Sequence, residues 1–278
     1  MSRPPLPRSQ GLLAVALDAA RAAAELVRAR SLGEVTVAAT KSSDVDVVTE
    51  ADRSAERLIR DRLATSRPDD AVLGEEGDDL AGTSGVRWVV DPIDGTVNFL
   101  YGLPQYAVSI AAEVDGEVVA GVVLNVATGV EFTAYVDEDG VTRSRRDGEP
   151  IRVRASVPLA QRLVSTGFGY DAGLRELQAR ALVHLLPRIR DIRRLGSCAL
   201  DLCHVAEGML DGYVEEGVNL WDHAAGALVA QGAGATVEVT TGAGGGRLIL
   251  CAPADGFAEL RMLVAAAGYL AAPATEET

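Results

Sequence analysis

The chain has little of what soft-metal, redox or membrane proteins are built from. Among 278 residues there are only three cysteines, Cys198, Cys203 and Cys251, and three histidines, His184, His204 and His223. The thiols are too few and too irregularly spaced for a disulfide framework or a four-ligand zinc site, and are read as buried and reduced. No histidine stands in a His-Glu-x-x-His or Cys-x-x-Cys setting, so each is read as structural. Long apolar runs are also missing. Residues 12–17 and 263–270 are far too short to span a bilayer, and Asp18 and Arg21 break the first as they would in an amphipathic helix. No uninterrupted apolar segment with a cleavage site follows Met1, so a cytoplasmic protein without a membrane partner is expected. Positive charge is scarce: 26 Lys and Arg against 40 Asp and Glu leave a net charge of −14. That balance argues against general nucleic-acid binding, which draws its affinity from basic residues on phosphates. A small phosphorylated ligand would meet the same repulsion unless cations reversed the field locally.

What is present is a core. At 48% hydrophobic the chain can bury one large domain or two closely packed ones. Residues 12–27, with Leu12, Val15, Leu26 and Val27 among alanines, predict a helix with one buried face. A second is predicted over 49–63, where Thr49 precedes Asp52 by three positions as in a capping box. Short strands are expected at 71–73 and 88–90. Between 105 and 153, β-branched runs alternate with Asp115-Gly116, Thr128-Gly129, Asp139-Gly140 and Asp147-Gly148, the pattern of an antiparallel meander. Beyond Pro158 strands are expected near 163–166, 213–215, 236–239 and 247–251, with helices between them. The expected division is an α+β half, 1–155, and an α/β half, 156–278. The glycine-rich 242–246 stretch reads as a hairpin or loop; it lacks the strand-to-helix setting of a phosphate loop.

The segment Asp91-Pro92-Ile93-Asp94-Gly95-Thr96-Val97-Asn98-Phe99 carries the chemistry. A hydrophobic strand runs into a turn where Pro92 fixes its own φ and Gly95 permits a tight backbone, so Asp91 and Asp94 can converge on a cation. An isolated Asp-Pro-x-Asp-Gly is more commonly a polar turn. Three further acidic places strengthen the cation reading: Asp52, the Gly74-Glu75-Glu76-Gly77 segment, and Trp221-Asp222 before His223-Ala224-Ala225-Gly226. Gathered without cations, two carboxylates about 4 Å apart would repel by roughly 4 kcal/mol at an effective dielectric of 20. An all-oxygen donor set is the chemistry of Mg²⁺ or Mn²⁺ rather than Zn²⁺.

Through Lys41-Ser-Ser-Asp-Val-Asp46-Val-Val-Thr49-Glu-Ala-Asp52, Gly74-Glu75-Glu76, Asp91-Pro-Ile-Asp94-Gly95-Thr96-Val-Asn98-Phe99 and Trp221-Asp222-His-Ala-Ala-Gly226, the sequence resembles the inositol monophosphatase family of lithium-sensitive magnesium phosphatases. The resemblance implies a layered α-β-α-β-α sandwich, usually a homodimer. It also implies a small phosphorylated polyol as substrate and two to three Mg²⁺ ions, with Mn²⁺ as a substitute. Carried over by position, Glu75, Asp91 and the Ile93 carbonyl would hold one metal, and Asp91, Asp94 and Asp222 a second. A third would lean on Glu75 through water. Thr96, paired with Asp52, would join Glu75 in orienting and deprotonating the attacking water. The Gly95 and Thr96 amides would take phosphate oxygens, and Asp94, Ser197, Cys198, Glu215 and Asp222 would complete the substrate contacts.

Two places depart from common family forms. The chain reads Val214-Glu215-Glu216-Gly217-Val218-Asn219 where relatives often place an aromatic before the substrate glutamate and a basic residue or histidine after it. Gly232 stands where many carry an acid. Phe99-Leu-Tyr-Gly-Leu-Pro104 followed by Tyr106-Ala-Val-Ser109 looks like the inositol branch rather than the histidinol-phosphate branch. No added basic pocket favours the fructose-1,6-bisphosphate or phosphoadenosine readings. A non-catalytic regulatory partner, the alternative outside enzymes, would be favoured by a missing ligand, and every expected ligand is present. Glu215 and Glu216 also read as a solvated acidic turn after a strand.

Overall fold

The computed structural model describes residues 9–31, 37–40 and 47–271, without the side chains of 37–48; the 41–46 part of the first motif lies outside the described residues. Helix α1 (Ser9–Ser31) is followed by an antiparallel ribbon, β1 (Val37–Thr40) and β2 (Val47–Thr49), and by α2 (Glu50–Ser66). The capping box at Thr49 forms: its amide donates to Asp52 Oδ2 at 2.8 Å, and the Asp52 amide donates back to Thr49 Oγ1 at 3.4 Å. The buried face of α1 is chiefly alanine, from Ala16 to Ala24, whereas Val15 and Leu26 are only half-buried. Small side chains there let α1 lie close against α2 and the first sheet.

That sheet runs in sequential order through β3 (Ala71–Gly74), β4 (Val86–Asp94), β5 (Ala107–Val114), β6 (Glu117–Asn125), β7 (Glu131–Val136), β8 (Thr142–Arg146) and β9 (Glu149–Pro150), with helix α3 (Thr96–Tyr101) between β4 and β5. β3 and β4 are parallel and every later pair is antiparallel, the expected meander. At Asp115-Gly116 and Asp147-Gly148 both residues have positive φ, as tight two-residue hairpins require.

The second sheet has the order β11-β10-β12-β14-β13. Along the chain it is built from β10 (Leu163–Thr166), α4 (Ala172–Leu185), β11 (Asp191–Arg193), α5 (Cys198–Ala206), β12 (Gly212–Glu216), α6 (Leu220–Gly232), β13 (Ala235–Thr241), β14 (Arg247–Pro253) and α7 (Phe257–Ala267). β10 is parallel to β11 and β12, and β14 is antiparallel to β12 and β13. The edge strand β11 was not expected from the sequence, since three residues show no period.

Strand alternation sorts the side chains into three cores. Trp88, Val90 and Ile110 pack on α1 and α2, while Val89, Ala111 and Val123 face the other way, onto α5 and α6. Tyr213, Ile249 and Cys251 meet the same helices from the second sheet, and Val214, Leu248 and Leu250 turn outward onto α4 and α7. The stack is therefore helix, sheet, helix, sheet, helix, the α-β-α-β-α sandwich, with α5 and α6 shared by both sheets. Gly232 finds its explanation in this middle layer: a Cβ there would lie 2.3 Å from Ser144 Oγ and 2.7 Å from Thr142 Cγ2 of β8. The loop after β13 closes over Glu216, whose oxygens accept from the Gly244 and Gly246 amides at 3.1 and 2.9 Å. Glu216 is thus a caged structural acid, not part of a solvated turn. No helix among the described residues is long and apolar enough to cross a membrane.

Candidate active site

Asp91 and Asp94 both belong to β4, where a regular pleat would point residues three apart to opposite faces. Asp91 pairs with Ser109 and Asp94 with Ala107, so three steps on β4 match two on β5 and one residue is bulged. The bulge rephases the strand and brings both carboxylates to one pocket. Pro92, lacking an N–H, sits at this irregular step. The sequence predicts a strand running into a turn at Pro92, with the pair converging at the strand's end; the strand continues through Asp94 and the turn begins at Gly95, with φ 96°. A Cβ at Gly95 would meet the Gln105 carbonyl oxygen at 2.8 Å, so both the conformation and the space require glycine.

The pocket, about 340 Å³, is lined from the first sheet by Glu75, Asp91, Ile93, Asp94, Gly95 and Thr96. Phe168, Tyr170, Arg194, Cys198, Glu215 and Asp222 close it from the second. Burial pushes the Asp91 carboxyl well above its usual range, and the charges of Glu75, Asp94 and Asp222 push it further. The Glu75 side chain beside it adds to that rise. Asp222, in the first turn of α6, is raised by burial and then by Glu75 and Asp94; the Asn219 amide donates to its Oδ2 at 2.6 Å. Burial lifts Asp94 to about 7 against the pull of its donors, Ser197 Oγ at 2.5 Å and the Ala199 amide at 2.7 Å.

Among the described residues Arg194 is the only lysine or arginine on the pocket wall. Among these residues the acids face one another with a single counter-charge, and hard oxygen donors in that situation fit a divalent cation such as Mg²⁺. Among the described residues no three of them are drawn into a finished metal cluster. One oxygen each of Asp91, Asp94 and Asp222 is turned instead to a protein donor, the Ile93 amide serving Asp91 at 2.9 Å.

Behind this wall Asp52 is fully buried, and Thr96 Oγ1 donates to its Oδ1 at 3.0 Å, with the Ile93 carbonyl a competing acceptor at 3.1 Å. The Gly95 and Thr96 amides open α3, where helical amides have no intrahelical acceptor. Ser197 is placed differently from its expected substrate contact. It stands behind Asp94 and off the pocket wall, its hydroxyl bonding Asp94 while accepting from the Leu200 amide at 3.3 Å as the cap of α5. Cys198 does line the pocket; burial raises its thiol far above the normal range, with Asp94 adding to the effect. Sequence reasoning missed Arg194, Tyr213, Gly167 and Glu56. The first is an unremarked loop arginine, Gly167 and Glu56 act through neighbours distant in the chain, and Tyr213 acts through Glu215 two residues on.

The profile of the inositol monophosphatase family matches residues 9–277. The chain belongs to that family. Inositol-1-monophosphatase SuhB of Mycobacterium tuberculosis (strain H37Rv) is 50% identical over 225 residues, covering 79% of this chain and 78% of the relative. Nus factor SuhB of Pasteurella multocida is 38% identical over 228 residues, covering 81% and 84%. The solved structure of Mycobacterium tuberculosis SuhB matches with a TM-score of 0.79 at 42% identity, covering 95% of this chain and 100% of that one. Three of the four motifs by which the sequence resembles the family contribute residues to the pocket wall, and the first contributes Asp52 behind it.

Proposed function

We propose that this protein is a Mg²⁺-dependent phosphomonoesterase that hydrolyses myo-inositol monophosphate to inositol and phosphate. The observation that carries this reading is the convergence of Glu75, Asp91, Asp94 and Asp222 on one pocket beside the Thr96–Asp52 pair. Glu75, Asp91 and the Ile93 carbonyl would hold one ion and Asp91, Asp94 and Asp222 a second, with a third leaning on Glu75 through water. Bound there, Mg²⁺ supplies a water of lowered pKa and offsets negative charge on phosphate and leaving group. The chain's own part is positional. With its proton engaged by Asp52, the Thr96 oxygen keeps lone pairs for the attacking water, and Glu75 stands on the same wall to orient that water and take its proton. The Gly95 and Thr96 amides receive phosphate oxygens without a basic side chain. Cys198 and Glu215 border the leaving group, where a carboxylate accepts hydrogen bonds from polyol hydroxyls. Action as a cytoplasmic homodimer belongs to the same reading.

The test is a phosphate-release screen across myo-inositol monophosphate, histidinol phosphate, fructose 1,6-bisphosphate and phosphoadenosine phosphate. The highest kcat/KM is expected on the inositol ester, with none after exhaustive chelation. A higher value on another substrate would replace the inositol assignment, and full activity in chelated protein would remove the metal. The name of the Pasteurella relative raises a regulatory reading. Because every proposed donor is present in this chain, catalysis is the reading favoured.

A further inference from the structure

Glu215 sits in a seat made for its carboxylate. Tyr213 and Glu215 are two residues apart on β12, so their side chains leave the strand on the same face, toward the middle layer. The Tyr213 hydroxyl donates to Glu215 Oε2 at 2.8 Å from a fully buried position. Cys198 hydrogen-bonds the same hydroxyl, whose single proton is engaged by Glu215. Beneath the carboxylate, in the chain leaving β10, lies Gly167. A Cβ there would fall 1.9 Å from Oε2, 2.0 Å from Cδ and 2.1 Å from Oε1. The parallel pairing of Thr166 with Val214 holds that floor in place. Tyr213 is the one hydrogen-bond donor to this carboxylate among the described residues, so Oε1 takes no hydrogen bond from them; Glu215 lines the pocket, where the Arg194 charge also acts on it.

We propose that Tyr213 is a positioning residue for leaving-group selection: with the Cβ-free floor at Gly167 it fixes the Glu215 carboxylate so that Oε2 is spent inside the protein and Oε1 is presented to a hydroxyl of the polyol. This rests on the reading of Glu215 as the leaving-group contact. The reason for a separate positioning residue is that Glu has three rotatable bonds, and a carboxylate free to turn pays orientational entropy on every substrate hydroxyl it accepts. The phosphate is gripped elsewhere, so the effect belongs to the polyol and not to the ester chemistry.

The experiment uses the full chain saturated with Mg²⁺ and compares kcat/KM on myo-inositol monophosphate with that on a small aryl phosphate, which has no hydroxyls to read. Tyr213→Phe keeps the ring and removes only the donor. It is expected to lower the inositol-to-aryl ratio about threefold to tenfold, the size of one neutral-donor hydrogen bond, mainly through KM on the inositol ester. Made in a Glu215→Gln background, the same change is expected to alter the ratio no further. Gly167→Ala, which forces the carboxylate from its seat, should reproduce the loss of ratio. A tyrosine that only fills the core would lower both substrates together, and that result overturns the proposal. If Glu215→Gln shifts the ratio and Tyr213→Phe does not, the positioning role fails alone. If neither shifts it, the reading of Glu215 fails and takes the positioning role with it.

Discussion

Thr96 has one hydroxyl proton and two acceptors in reach, Asp52 and the Ile93 carbonyl, and neither belongs to the side-chain carboxylates that face the pocket. Thr96→Ala is therefore expected to lower kcat about 10²- to 10⁴-fold, the usual worth of a positioned proton acceptor, with Mg²⁺ affinity by calorimetry nearly unchanged. Asp91→Asn should behave in the opposite way. Asp91 feels Glu75, Asp94 and Asp222 at once, so it should lose more metal affinity than Asp94→Asn or Asp222→Asn. A Thr96→Ala protein that cannot bind Mg²⁺ would show the assignment to be wrong. Asp201 supplies a second residue-scale test. It is fully buried on α5, neither carboxylate oxygen has a well-formed hydrogen bond, and burial holds its pKa far above the ordinary value, with Glu215 adding to the effect. In the unfolded chain it ionises near 3.8. Above that pH the unfolded state has shed a proton that the folded state keeps, so Asp201 makes stability fall as pH rises. Asp201→Asn should accordingly gain stability over wild type at pH 7 in urea unfolding and differ little near pH 4.

At the scale of elements, α2 holds the segment that carries Glu75. Glu56 accepts from Arg60 Nε at 2.7 Å and from the Glu76 amide at 2.7 Å, and Cβ atoms at Gly74 and Gly77 would fall 2.4 and 2.7 Å from its Oε1. The two glycines flanking Glu75-Glu76 thus let a backbone wrap around buried Glu56 and its half-buried partner Arg60. Glu56→Ala leaves Arg60 and an amide without their acceptor. It is expected to cost about 3 kcal/mol in urea unfolding and roughly 10- to 100-fold in Mg²⁺ affinity through the loosened Glu75. A stable Glu56→Ala protein with unchanged affinity would separate α2 from the site. The bulge in β4 is the other element-scale device. The motif showed that Asp91 and Asp94 belong together, but the extra residue that unites them is defined only against β5.

At the scale of the molecule, the pocket lies between the two sheets, and few bonds tie its walls. Asn98 Nδ2 donates to the Gln105 and Leu195 carbonyls at 2.7 and 2.8 Å, joining α3 to the segment before α5, while Asp94 grips the start of α5. A cation shared by Asp94 and Asp222 would add a tie and offset the burial that raises both carboxyls, together with the Asp94 charge that raises Asp222 further. Mg²⁺ should therefore raise Tm, by the equivalent of about 2.7 kcal/mol at a hundredfold excess over its Kd. The shift should vanish on chelation and shrink in Asp91→Asn. An unchanged Tm at saturating Mg²⁺ would argue that the acids do not hold it.

Whatever depended on neighbours along the chain was legible beforehand: the Thr49 cap, the meander with its Asp-Gly turns, and the acidic motifs with their all-oxygen donor chemistry. The period of a strand or helix decides which residues share a face, and that is written locally. The partner across that face is not. Val15 and Leu26 outranked the alanines of α1 by hydrophobicity, yet alanines are buried because two other elements press on them. Ser197 looked like a substrate contact and became the cap that clamps Asp94. Gly232 had no reading until β8 lay within 3 Å of its missing Cβ. Gly167 acquired a purpose only when β10 and β12 came side by side. The sequence by itself determined the class of chemistry, because ligand type depends on which atoms are available; tertiary structure alone decided which oxygens point at the substrate, because orientation is set by atoms on other strands.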